Sequence, residues 1–203
     1  MHGLINRAIQ CFLRDTYGPD VWYVVARQAG VADMDFAAML HYDDAVTEQV
    51  LTAAAGALTR PRDSILEDLG TYLVCNENME GLRRLLRFAG TTYEEFLLSL
   101  EDLPGRARLA VSDLELPELE LRCDPDDSYV LSIGGGPQGF GLVMVGILRA
   151  LADDYGALVL LDYGQSEGGQ EQISLRIVTS AYSQGRQFHL AAAAADAQRE
   201  PAS

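Results

Sequence analysis

The sequence predicts an α+β fold: a helical amino-terminal lobe followed by a mostly antiparallel four-stranded sheet with one long packed helix. Three observations carry this reading. Apolar residues recur with the helical period through the first half of the chain, whereas beyond Pro104 they alternate as in strands. One long apolar stretch, "FGLVMVGILRAL", sits between two pairs of alternating runs and makes the second half strand-strand-helix-strand-strand. At 203 residues and 48% hydrophobic content, the chain is long enough to bury a substantial core.

The opening "MHGLINRAIQCFLRDTYG" places Leu4, Ile5, Ala8, Ile9, Phe12 and Leu13 on one helical face, ended by Gly18-Pro19. "DVWYVVARQAG" follows as a short helix stopped by Gly30, and "MDFAAMLHYDDAVTEQVLTAAAGALT" reads as one short and one longer helix. "RDSILEDLGTYLVCN" and "MEGLRRLLRFAG" keep the period, and Thr91 or Thr92 caps "YEEFLLSLEDL" with Glu94 and Glu95 in its first turn. "LELPELELRCD" and "DSYVLSIGG" are then strands, a helix covers roughly 139–155, and "ALVLLDYGQ" and "EQISLRIVTS" are two more strands. "GRQFHL" is a candidate final edge. The alanine-rich end is a tail or the start of a linker, so the expected organisation is one domain over 1–190, with lobes of about 1–103 and 104–190, and a tail at 191–203.

Thirty acidic against fifteen basic residues give a net charge of −15, which repels phosphate backbones and anionic lipid, so neither nucleic acid nor a membrane is an expected partner. The apolar run is broken by Arg149 before the ~20 residues a bilayer span needs, and no signal-peptide pattern opens the chain. Cys11, Cys75 and Cys123 lie far apart without metal-ligand spacing. They read as reduced thiols in a bacterial-type cytosol, with no metal site expected.

The segment "SIGGGPQGFG" opens the long helix. A nucleotide-phosphate loop would add Lys-Ser/Thr, and a dinucleotide loop would open a parallel βαβ unit; neither context is present, so a turn requiring positive φ is the better reading. His2, His41 and His189 lie far apart in the chain, and His41 reads as a helix-packing residue. The adjacent pairs Glu94-Glu95 and Asp153-Asp154 diverge on a helix and read as solvated faces and caps. No catalytic constellation emerges, which points away from an enzyme.

In their order and spacing, "MHGLINRAIQCFL", Trp22, "YDD" at 42–44, "ILEDLG" and "FLLSLEDL" resemble the bacterial heme nitric oxide/oxygen-binding (H-NOX) family, and "SYVLSIGGGPQGFGLVMVGILRAL" continues the match to about His189. The resemblance implies a heme pocket between the helical lobe and the α/β unit. It places the family's iron-ligating histidine at Pro104, which has no basic nitrogen to offer. The family's Tyr-x-Ser-x-Arg clamp on the heme propionates falls on Ile133, Gly135 and Pro137, so the phenol, hydroxyl and guanidinium are all missing. Ile5, Ile9, Leu73, Pro117 and Leu142 correspond to the apolar lining. The resemblance thus implies a heme-free sensory domain that binds an apolar small molecule between its lobes, a fatty acid by analogy with related folds that hold acyl chains. It implies a signalling partner such as a histidine kinase or a cyclase. The alternative is a heme-based gas sensor with a non-standard axial ligand; His2 is the residue to consider there, and it is expected to face solvent.

Overall fold

The computed structural model describes residues 1–31, 35–87, 90–125, 128–166 and 168–179. The expected "GRQFHL" edge, His189 and the 191–203 tail lie outside them. Helix α1 (Gly3–Tyr17) buries Ile9, Phe12 and Leu13 and stops where Gly18 turns to φ 93°. Helix α2 (Pro19–Gln28) starts with proline, whose missing N–H is not needed in a first turn. Helix α3 (Asp44–Leu58) is capped by Asp43, whose carboxylate accepts from the Ala45 N–H at 2.9 Å. Helices α4 (Arg62–Cys75) and α5 (Glu80–Arg87) follow. The short helix α6 (Tyr93–Leu98) has a capping box in which Thr92 and Glu95 satisfy each other's backbone N–H groups.

Two expectations are corrected. Residues 35–41 form turns, not a short helix: the Phe36 N–H donates to the buried Gln10 side chain and the Ala37 N–H to the Tyr42 hydroxyl, so side chains take the place of helical carbonyls. Phe36 itself is fully buried. Nor does helical structure end at Pro104. Helix α7 (Leu103–Ala110) carries the proline in its first turn, where it breaks no hydrogen bond, and extended structure begins only at β1 (Glu118–Cys123).

Strand β2 (Ser128–Gly134), helix α8 (Phe140–Tyr155), β3 (Leu158–Gln165) and β4 (Glu171–Thr179) complete the described chain. The sheet has the order β1-β2-β4-β3, every neighbouring pair antiparallel. One face carries Leu131, Ile133, Ile173 and Leu175 against Met144, Ile147, Leu148 and Leu151 of α8. The other leaves Leu160 and Val178 half exposed.

A second apolar cluster joins α1, α2, α3 and α4, and Leu73, Val143 and Tyr163 pack against both clusters. The joint is the crossing of α4 with α8, where the helices meet backbone to backbone. A Cβ on Gly70 would lie 2.0 Å from the Val143 carbonyl oxygen, and one on Gly146 2.0 Å from that of Glu67. At the far end of α8, Asp154 departs from the expected solvated carboxylate: it is 3% exposed and held at 2.7 Å by both Nε and an Nη of Arg83 on α5.

Gly146→Ala should therefore force α4 and α8 apart and lower the unfolding free energy by about 2–3 kcal/mol. The exposed glycine Gly105, where an added Cβ meets nothing within 4 Å, serves as the control. Urea denaturation of both alanine variants measures the difference.

Candidate functional site

The glycine-rich turn between β2 and α8 is built around an internal carboxylate. Gly135 and Gly139 take φ of 67° and 91°, conformations that glycine adopts without steric cost. Gly136 lies against the Pro117 ring, where a Cβ would come within 2.2 Å of Cγ. At the start of α8 the backbone N–H groups of Gly139 and Gly141 converge on Glu171 of β4, donating to its two carboxylate oxygens at 2.5 and 2.6 Å. The glycine turn is thus an anion cradle at a helix amino terminus, and the protein's own side chain fills it.

Surrounding groups fix that carboxylate. Tyr163 of β3 lies beside it; burial and then the Glu171 charge push the phenol up to about 12. Gly141 must lack a side chain, because a Cβ there would lie 2.7 Å from the Tyr163 ring and 2.8 Å from the carboxylate. Arg62 of α4 closes the turn from outside, donating to the Gln138 carbonyl at 3.1 Å while pairing with Glu48 at 2.9 Å. Glu171 and Tyr163 were invisible in the sequence, being one acid and one aromatic in ordinary strands. Gly141, a poor helix former inside a helix, marks a close approach there without naming the residues that make it.

The positions that the resemblance assigns to the pocket are distributed across the molecule. Ile5, Ile9 and Leu142 belong to the cluster of the first four helices, Ile133 to the cluster between sheet and α8, and Leu73 touches both. Pro104 and Pro117 are buried, whereas Gly135 and Pro137 are exposed. Pro104 borders a groove of about 360 Å³ between α7 and the sheet, whose walls include Gly105, Arg108, Glu118, Glu120 and Gln170. This groove is polar.

The histidines depart from expectation. His2 is 5% exposed, not solvent-facing: it caps α1, its Nδ1 accepting from the Leu4 N–H at 3.2 Å. His41 is exposed and lies outside any helix, in an isolated antiparallel bridge with His2 that sets the two rings edge to face at 5.0 Å. Asp113, in the turn after α7, comes within 3.4 Å of His2 Nε2. No local spacing signals this group, because its members come from three separate segments.

A family described as haem-NO-binding matches residues 2–161. Among curated proteins, the chain is 20% identical over 163 residues to soluble guanylate cyclase 89Db of Drosophila melanogaster, covering 80% of this chain and 24% of the cyclase. It is 22% identical over 154 residues to soluble guanylate cyclase gcy-31 of Caenorhabditis elegans, covering 76% and 22%. The chain thus spans about a quarter of the length of these relatives. Among solved structures, an H-NOX protein from S. oneidensis in the Fe(II)NO ligation state superposes with a TM-score of 0.73 at 13% identity, over 88% of this chain and 100% of that one. A mutant of T. tengcongensis H-NOX gives 0.72 at 14% identity over 90% and 100%. These likenesses fix the fold: helices followed by a four-stranded antiparallel sheet.

Glu171→Gln should remove a charge-assisted pair of hydrogen bonds at the start of α8 and cost about 1–2 kcal/mol in urea unfolding. The variant should also shift Tyr163 downward from about 12 toward the ordinary 10, read as tyrosinate absorbance against a Tyr163→Phe control. Because the phenol is raised in the folded state, its contribution to stability is complete below pH 10 and is lost as pH rises from 10 to about 12. The Gln variant should lose part of that alkaline dependence.

Proposed function

Because the chain belongs to the haem-NO-binding (H-NOX) family, we propose that it is a sensory domain whose pocket takes an apolar small molecule, such as a fatty acid, instead of heme. The observation that carries this reading is Pro104: the residue that the resemblance puts at the family's iron-ligand position is a buried proline, with no basic nitrogen to give a metal. The clamp positions support it. Ile133 is packed in the core, and the exposed Gly135 and Pro137 carry no donor side chain for a propionate. The nearby donors of the α8 amino terminus already hold Glu171, so an incoming propionate would meet a carboxylate. These residues do not fit heme held in the family's manner. His2, the alternative ligand, is buried at the start of α1, where its Nδ1 caps the helix and its Nε2 faces Asp113 at 3.4 Å.

The apolar ligand would act at the joint of the two clusters, where Leu73, Val143 and Tyr163 touch both. A molecule seated against these three side chains, beside the tight crossing of α4 with α8, would turn occupancy into a change in lobe geometry. Gly135, at positive φ in the turn between β2 and α8, supplies backbone freedom for that change. The output is a signalling protein such as a histidine kinase or a cyclase; the cyclases among the relatives, of which this chain matches about a quarter, support a role of this kind. A cytosolic setting accords with the described residues, which include no helix long and apolar enough to cross a membrane.

Two outcomes follow. Protein expressed with excess hemin should be colourless after gel filtration, and Pro104→His alone should load heme poorly because the propionates stay unpaired; a stoichiometric Soret band in the unmodified protein overturns the heme-free reading. Organic extraction and mass spectrometry should recover an apolar ligand, and Leu73→Trp should reduce its yield at a stability cost of about 1–3 kcal/mol. Unchanged recovery in a folded Leu73→Trp protein places the ligand elsewhere.

A further inference from the structure

We propose that His2, His41 and Asp113 form a binding site for a divalent transition metal of the zinc class, at the amino-terminal end of α1. One ligand atom from each lies within 4.8 Å of the other two. The group does not depend on the reading of heme or lipid.

The central member is built into the fold. The His2 side chain is 3% exposed, yet its Nε2 has no hydrogen-bond partner; Asp113 Oδ1 at 3.4 Å is too distant for a good one. A buried imidazole nitrogen left unsatisfied is costly and needs a partner. Backbone pairing fixes the ring opposite His41: the Gly3 N–H donates to the Leu40 carbonyl at 2.7 Å, and the Tyr42 N–H to the Met1 carbonyl at 2.9 Å. His41 and Asp113 are exposed and can rotate. Zinc holds nitrogen and oxygen at about 2.0–2.2 Å, which puts tetrahedral donors about 3.4 Å apart, so closure needs only these two side chains to move inward. Two imidazoles and a carboxylate, with water at a fourth position, suit zinc better than calcium or magnesium. A net charge of −15 favours a cation.

The cap defines what metal binding must change. Nδ1 accepts from the Leu4 N–H, so the resting neutral ring carries its proton on Nε2. Ligation by Nε2 moves that proton to Nδ1 and gives up the Leu4 hydrogen bond. Metal occupancy is thereby linked to the first turn of α1, and the ion would staple that turn to the turn after α7.

The test is a zinc titration of the full chain after chelator treatment, followed by calorimetry and by NMR of the Leu4 amide and the histidine ring protons. One equivalent should bind, shifting the Leu4 amide and the His2 and His41 ring signals together. His41→Ala and Asp113→Asn should each weaken binding at least tenfold. His2→Asn should abolish it while keeping α1 capped, since asparagine is itself a good cap; circular dichroism checks that the variant folds. Absence of one-equivalent binding, or binding that leaves the Leu4 and His2 signals unmoved, overturns the proposal. So does affinity unchanged in the three variants, which would assign the metal to thiols or other groups.

Discussion

The contact between α4 and α8 sets the spacing of everything around it. Gly70 and Gly146 bring two helix backbones so close that each lies against a carbonyl of the other, at Val143 and Glu67. With no side chain between them, the two apolar clusters merge through Leu73, Val143 and Tyr163. α8 then lies flat on one face of the sheet, with Met144 and Leu148 fully buried.

From that placement the glycine turn follows. Once α8 is pinned at its middle, its amino terminus points at β4, and the unsatisfied N–H groups of its first turn need an acceptor. Glu171 supplies it from the strand, and Tyr163 and Arg62 close around it. The far end of α8 is held by a charge pair, Asp154 with Arg83. The helix is therefore fixed by a carboxylate on its first N–H groups, by an ion pair at its far end and by close packing in the middle. Partners from α4, α5, β3 and β4 couple one helix to most of the fold.

In the family to which the chain belongs, the equivalent region is where the resemblance puts a heme clamp. Here a carboxylate from within the chain satisfies the nearby backbone donors, and the Pro117 ring packs against Gly136 where a bulkier residue would not fit. The turn is internally consistent: glycines allow its tight backbone, and that backbone aims N–H groups at Glu171.

Helices, strands and their order were legible in the sequence because periodicity reports burial, and burial on one face is a local pattern: Ile9, Phe12 and Leu13 in α1, or Leu131 and Ile133 in β2, lie where their spacing puts them. The Thr92 cap was legible for the same reason, since its partner Glu95 is three residues away. That residue 104 is a proline, without a basic nitrogen, could also be read directly, because the chemistry of a side chain is a property of one residue. Residues 35–41 misled because the groups that unwind a helix there, Gln10 and Tyr42, are supplied from outside the segment. Glu171 under α8, Asp154 under Arg83, and His2 beside His41 and Asp113 were decided by tertiary structure alone. Each joins residues far apart in the chain, and the free energy of such a contact depends on a distance that no local pattern of residues encodes.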